Sequence, residues 1–269
     1  MEWYKTAARK VDLGPLRTSR LVMGTGSDAS MRRGNQSRLG KGLEDVVGRA
    51  YDEGVRFFDM ADMYGTHAAV GRALKGKPRD SYRLCTKIWV RPGNLPETDR
   101  PPAKKLMDRF LGEIGVDRVD LVQIHCMVDP KWPSKYRKYM DDLSRMKDEG
   151  VIGAHGVSCH SLGALETAVE SDWVDVVHAR LNPYGVRMDA EPEKVMPLLA
   201  RAKENGKGVM AMKLNGGGAF DKRRRSESVR FALSAGCVDC LIMGVESEFE
   251  LSEFKDVVEE SSAERNPSS

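Results

Sequence analysis

The sequence is short of several things, and each shortage removes a class of function. Nowhere do about 18 apolar residues follow one another, so no segment reads as a membrane span, and the first twenty residues carry no apolar secretory core. Charge of one sign is missing too: 43 basic residues face 40 acidic ones, for a net +3. Nucleic-acid binding needs a concentrated basic face, and the longest basic run, Lys222-Arg223-Arg224-Arg225, is too short to make one. The five cysteines (85, 126, 159, 237 and 240) are odd in number and sit mostly in apolar runs, which speaks against a disulfide framework and for a reducing compartment. Cys237-Val-Asp-Cys240 has the spacing of half a redox or zinc site, but no second pair answers it, so core packing is the expected role. The expectation is a soluble, cytoplasmic protein that acts on a small molecule, with no metal, nucleic acid or membrane; the sequence does not set its oligomeric state.

What is present is a regular alternation. Short β-branched or apolar runs occur at Leu21–Gly24 and at residues 56–61, 82–87, 119–125, 152–158, 174–181, 208–213 and 238–244. Several are apolar almost throughout, as in Leu241-Ile242-Met243, which suits strands covered on both faces. Between them run helical stripes such as Leu106, Phe110, Ile114 and Val195, Leu198, Leu199, Ala202. Gly54, Gly115, Gly150, Gly206 and Gly236 close helices in the manner of left-handed caps, each shortly before a new strand. Eight strands alternating with eight helices predict a single-domain α/β protein, a (β/α)8 TIM barrel spanning residues 1–269. An open doubly wound sheet is the rival, but it carries a glycine fingerprint running into a helix after its first strand. Here Gly24-Thr25-Gly26 is followed by no such helix. Asp12-Leu-Gly-Pro15 predicts a short N-terminal hairpin plugging the barrel bottom, and the polar tail, about 260–269, is expected to fray. Two long connections, 27–41 and 127–138, are expected to hang over the catalytic face.

Catalytic groups in such barrels stand at the C-terminal ends of strands. The second strand delivers Asp59, Asp62 and Tyr64, the third ends at Lys87 and the fourth at His125. A phenol is a poor acid at neutrality, with an ordinary pKa near ~10. A cationic lysine beside it favours its anion, a carboxylate fixes the lysine, and an imidazole can orient a carbonyl oxygen against the phenol. Such a set can protonate a carbonyl oxygen while a hydride reaches its carbon. Asp62 is expected to bond its own loop, and His67 to be a surface or capping residue.

Phe57-Phe-Asp59-Met-Ala-Asp62-Met-Tyr64-Gly65 resembles the aldo-keto reductase signature, and Thr86-Lys87 and Asp120-Leu-Val-Gln-Ile-His125 resemble the other two. The resemblance runs from Leu13-Gly14 to the last helix and marks a divergent member. It implies that Tyr64 is the general acid/base, that Lys87 tunes it, that Asp59 pairs with Lys87 and that His125 orients the carbonyl. It also implies a nicotinamide dinucleotide held without a Rossmann domain, NADP(H) ahead of NAD(H). The cofactor side departs from the family pattern. Thr25 stands at the first rim. Ser158 is kept, but the asparagine expected after it is Cys159, with His160 as a substitute; His178 falls at the usual glutamine, and Met212 where an aromatic ring would stack. Lys213 and the loop with Leu214, Gly216 and Gly217 are expected to meet phosphate, the glycines by close backbone approach and residues 222–225 by charge. The last strand runs from Gly244 into Glu246 and Glu248, where members that select a 2′-phosphate carry a cation. Two other functions stay open: a dinucleotide-binding regulatory barrel that turns nothing over, and a Schiff-base lyase using Lys87 or Lys213.

Overall fold

Apolar residues on consecutive positions leave a strand no face to show to water, so such strands must be covered on both sides. In the computed structural model, which describes residues 9–26, 36–92, 99–245 and 247–263, eight of them close a parallel barrel in the order β10-β3-β4-β5-β6-β7-β8-β9. They are β3 (Leu21–Gly24), β4 (Phe57–Asp59), β5 (Arg83–Ile88), β6 (Val119–Met127), β7 (Ile152–Cys159), β8 (Val176–Arg180), β9 (Gly208–Met212) and β10 (Cys240–Gly244). Around them lie α1 (Gln36–Asp52), α2 (His67–Ala73), α3 (Ala103–Ile114), α4 (Trp132–Lys135), α5 (Arg137–Asp148), α6 (Leu162–Glu170), α7 (Pro192–Glu204), α8 (Lys222–Ser234) and α9 (Glu248–Ala263). The expected stripes face inward: Leu106, Phe110 and Ile114 on α3 and Val195, Leu199 and Ala202 on α7 are buried, with Leu198 partly so. All five capping glycines have positive φ.

The predicted hairpin forms from β1 (Lys10–Leu13) and β2 (Leu16–Ser19). Leu13 is fully buried and belongs to one apolar cluster with an inward residue of every barrel strand: Val22, Phe57, Cys85, Leu121, Ala154, Val176, Met210 and Cys240. This apolar layer seals the barrel floor, as expected of a filled barrel. Gly14 makes the plug fit: its φ is +56°, and a Cβ there would lie 2.7 Å from the Asp175 carbonyl oxygen.

Several expectations about segments need correction. Residues 127–138 do not hang over the catalytic face. They contain α4, whose Trp132 is fully buried, donates its indole N–H to the Ala164 carbonyl and lies 6.2 Å from the Trp173 ring. Its burial in the outer layer is what folds the segment away. Residues 27–35 of the other connection lie outside the described residues, as do Glu246 and residues 264–269, and from Gln36 the chain is already α1. The final helix continues to Ala263, past the expected point of fraying. Cys237 and Cys240 are buried free thiols. Among the described residues no helix is long and apolar enough to cross a membrane.

Candidate active site

Residues two apart on a strand share a face, so the positions following the apolar floor layer also point into the barrel. They are Asp59 on β4, Lys87 on β5, Gln123 on β6, His178 on β8 and Met212 on β9. The floor is wholly apolar, whereas the next layer carries Asp59, Lys87, Gln123 and His178, and that change marks the catalytic end. One step further along β6 and β7 come His125 and Ser158.

Lys87 is 2% exposed and donates to both oxygens of Asp59, at 2.6 Å each, and to the Met60 carbonyl at 3.0 Å. Burial alone would lower its pKa; the charge of Asp59 outweighs that and holds the ammonium above its ordinary value. Its Nζ lies 5.0 Å from the centre of the Tyr64 ring. For Tyr64, burial raises the phenol pKa and the Lys87 charge opposes it, with a net rise. His125 meets Tyr64 edge-on at 5.7 Å and Trp89 edge-on at 5.6 Å. Burial, then the Lys87 charge, keeps the imidazole far below its ordinary pKa, so it is neutral. Asp59, Cys85 and His178 bring one ligand atom each within 4.8 Å of one another, but both Asp59 oxygens already hold the Lys87 ammonium.

The tyrosine turn is braced on three sides. Thr25 Oγ1 donates to the Asp59 carbonyl and meets Thr66 Oγ1 at 2.8 Å. Asp62 does not bond its own loop; it is buried between Arg100 (2.6 Å) and Arg109 (2.7 Å). His67 is not a surface residue. It is 1% exposed and bridges Thr86 Oγ1 and Glu113. Sequence patterns missed both networks because their partners lie on α3 and β5 and the connection before α3, far along the chain. On β6, the residues Ile124 and Met127 pair with Val157 and Cys159, which leaves one extra residue between them on β6. Cys126 occupies this bulge with φ at 63°, and its N–H donates to Ser158 Oγ. Bulges of this kind re-aim side chains beside active sites, and here the residue next to the bulge is His125.

Gly26 lies flat against the phenol, where a Cβ would fall 2.3 Å from Tyr64 Cζ. Gly26→Ala is therefore expected to push the ring aside and lower turnover by about 10²-fold, the usual cost of a misplacement near 1 Å. A stopped-rate assay alongside an unchanged melting curve checks it; wild-type turnover would show the ring does not need that gap.

The four groups face a cavity of about 360 Å³ that continues past β9 and β10 to α8 and α9. Of the expected cofactor contacts, Ser158, His160, Met212, Lys213, Leu214, Gly217 and Gly244 line it. Thr25, Cys159, His178 and Gly216 do not: Thr25 braces the turn, Cys159 is buried in the outer core, and His178 lies beneath the floor of the cavity with Nε2 against Met210 Sδ. His160 is a neutral wall residue, its pKa pushed down to about 3 by burial and then by Arg180, Lys213, Arg91 and Lys87. Of the basic run only Arg225 reaches the wall. Lys222 pairs with Glu260, Arg223 with Glu227 and Arg225 with Glu253, while Arg224 lies over the Tyr184 ring. Wall residues that sequence reading passed over include Asn215, Phe220, Glu250, Glu253 and Phe254. Their signal was weak, because α9 reads as an ordinary surface helix until it is known to border the cavity.

A parallel barrel whose rim joins a phenol to a buried ammonium–carboxylate pair and a neutral imidazole belongs among barrels equipped for proton transfer to a small molecule. Within that class the family is settled by sequence: the profile of the aldo/keto reductase family matches residues 21–234, and the chain belongs to that family. The chain is similar to a methylglyoxal reductase of Salmonella typhi (31% identical over 148 residues, 51% of each chain). It is also similar to an aldo-keto reductase of Mycolicibacterium smegmatis, 34% identical over 132 residues, 47% of this chain and 43% of that one. These alignments span about half the length of the relatives or less. Among solved structures, the fold is shared with an aldo-keto reductase of Bacillus halodurans in its holo form (TM-score 0.74, 20% identity, covering 93% and 90% of the two chains). It is shared as well with a Klebsiella pneumoniae aldo/keto reductase holding NADP and acetate (TM-score 0.68, 14% identity, 93% and 89%).

Proposed function

We propose that the protein is a nicotinamide-dinucleotide-dependent carbonyl reductase in which Tyr64 is the general acid. The observation that carries this reading is the Lys87–Asp59 pair beside the Tyr64 ring, with neutral His125 on the other side, all facing one cavity. The wall suits a dinucleotide at its far end: Gly217 and Gly218 have φ of 71° and 89°, and a Cβ on Gly218 would meet nothing within 4 Å, leaving backbone open to a pyrophosphate. Ser158, His160, Met212 and Lys213 would hold the nicotinamide half, and Asn215, Arg225 and Phe254 the adenosine half. A reduced nicotinamide supplies the hydride. His125, uncharged, positions the carbonyl oxygen; the π pair moves to that oxygen as the carbon gains hydride, and the oxygen takes the Tyr64 proton. Lys87 stabilises the resulting tyrosinate, and Asp59 keeps Lys87 in place. A panel of aldehydes and ketones with reduced dinucleotide tests the reading, and absence of any turnover sinks it.

The resemblance favours NADP(H). One feature of the wall favours NADH instead: Glu250 and Glu253 line its adenosine end, and Arg225 there is already paired with Glu253 at 3.0 Å. A 2′-phosphate would meet two carboxylates, whereas a free 2′-hydroxyl could donate to one of them. NADH is expected to bind about tenfold more tightly than NADPH, a difference near 1.4 kcal/mol, and Glu253→Gln to narrow the gap by freeing Arg225. Paired fluorescence titrations decide; tighter NADPH binding would return the assignment to the family pattern.

The lyase reading loses ground at Lys87, since a Schiff base needs a neutral amine and Asp59 holds this one protonated. Borohydride trapping tests Lys213. The regulatory reading draws on Cys159 and His178 standing off the wall, and turnover separates it from the reductase.

A further inference from the structure

Lys87, Trp89 and Arg91 follow one another at a spacing of two at the end of β5, and they meet different fates. Lys87 is neutralised by Asp59, and Trp89 packs edge-on against His125 at 5.6 Å. Arg91 lays its guanidinium over the Trp89 ring, 4.3 Å from the centre, and points Nη2 at Cys126 Sγ, 3.2 Å away. Its Nε is buried with no hydrogen-bond partner.

Several arginines around this rim are matched by an acid. Arg100 and Arg109 hold Asp62, Arg180 holds Asp189, and Arg225 holds Glu253. Among the described residues Arg91 pairs with no carboxylate, and the nearest catalytic acid, Asp59, is already spent on Lys87. Arg91 stands at the edge of the site, outside the cavity wall itself, with Trp89 between it and His125 and with Cys126, the residue after His125, beside it. A chain of contacts thus leads from the proton donor to an unmatched cation: Tyr64 to His125, His125 to Trp89, Trp89 to Arg91.

A half-buried guanidinium with no carboxylate of its own and an aromatic platform beneath it is a common receptor for a carboxylate, which it can meet with two parallel hydrogen bonds. Leaving it unmatched carries a desolvation cost that a substrate anion would offset. We propose that the substrate is a carbonyl compound that also carries a carboxylate, and that Arg91 binds this carboxylate while His125 and Tyr64 engage the carbonyl. The assignment rests on the carbonyl-reductase reading for the reaction and adds the class of substrate. Neutral His160, on the cavity wall, can donate a further hydrogen bond without competing as a charge.

The test compares acid and methyl-ester forms of three aldehydes of increasing length: glyoxylate, succinic semialdehyde and 4-carboxybenzaldehyde. At one length or more, kcat/KM for the acid is expected to exceed that for its ester by tenfold or more. Arg91→Met should erase the ratio, and Arg91→Lys should keep part of it, because a point charge replaces the fork. An ester reduced as well as its acid at every length, or a ratio that persists in Arg91→Met, overturns the proposal. Benzoate binding to the protein, followed by tryptophan fluorescence, gives a readout that needs no turnover. Should no carbonyl compound be reduced, the reductase reading falls, and benzoate still decides Arg91: binding lost in Arg91→Met and kept in Arg91→Lys supports the site, and equal binding to wild type and Arg91→Met removes it.

Discussion

Replacing Tyr64 by phenylalanine is expected to lower the reduction rate by about 10²–10⁴-fold, the range general acids supply, while dinucleotide affinity stays nearly unchanged. The reasons are geometric. Phenylalanine keeps the ring that Gly26 and His125 pack against and removes only the hydroxyl. Lys87 keeps both bonds to Asp59, so the charge balance of the pocket is undisturbed. The residues expected to hold the dinucleotide lie on β7, on β9 and the loop that follows it, and on α8 and α9, away from the tyrosine turn. The pH profile follows from the same groups. Burial outweighs Lys87 and leaves Tyr64 protonated throughout neutrality, while His125 stays uncharged. The rate of reduction should thus be flat between about pH 5 and 8, where an ordinary histidine would titrate, and should fall only when alkali removes the tyrosine proton. Steady-state kinetics on wild type and variant check both points. Full activity in Tyr64→Phe, or a histidine-like inflection near neutrality, would refute the assigned roles.

The site was legible in the sequence to the extent that it is carried by strands. A barrel strand displays alternate residues to its interior, so Asp59, Lys87 and His125 could be placed from strand ends alone, and the structure gathers them with Tyr64 around one cavity. The same rule explains where the reading went astray. Position on a strand fixes which face a residue takes, yet it does not say how deep it lies. Cys159 and His178 sit on the strands expected of them, but Cys159 faces the outer helices and His178 the layer under the cavity. Residues on helices were less visible still. Glu250 and Glu253 acquire meaning only because α9 packs beside α8 at the cavity mouth, a contact that no local pattern encodes. Arg91 stands in the right period, two residues past Trp89, but the sequence gives no sign that no carboxylate among the described residues pairs with it.

Asp62→Ala is expected to destabilise the fold by about 3–5 kcal/mol, the cost of removing one partner from a buried ion pair. Asp62 is 1% exposed and its two oxygens are divided between two arginines. Arg109 is half in solvent and can rehydrate; Arg100 is 5% exposed at its side chain and cannot. Arg100 also donates to the Trp89 carbonyl at 2.7 Å, so the loss reaches both the tyrosine turn and the tryptophan that packs on His125. Thermal melting should show a fall of roughly 10 °C, by the usual scaling for a chain of this size. Because the damage comes from a buried charge that has lost its closest carboxylate, removing that charge as well should repair part of it. Asp62→Leu combined with Arg100→Met is expected to recover part of the lost stability, since apolar replacement of both members of a buried pair is often neutral. Activity should recover less than stability, because the turn that carries Tyr64 would still lack the clamp that fixes it. A double variant as unstable as the single one would mean that Asp62 acts through shape rather than charge, and a single variant that melts with wild type would remove the clamp from the account altogether.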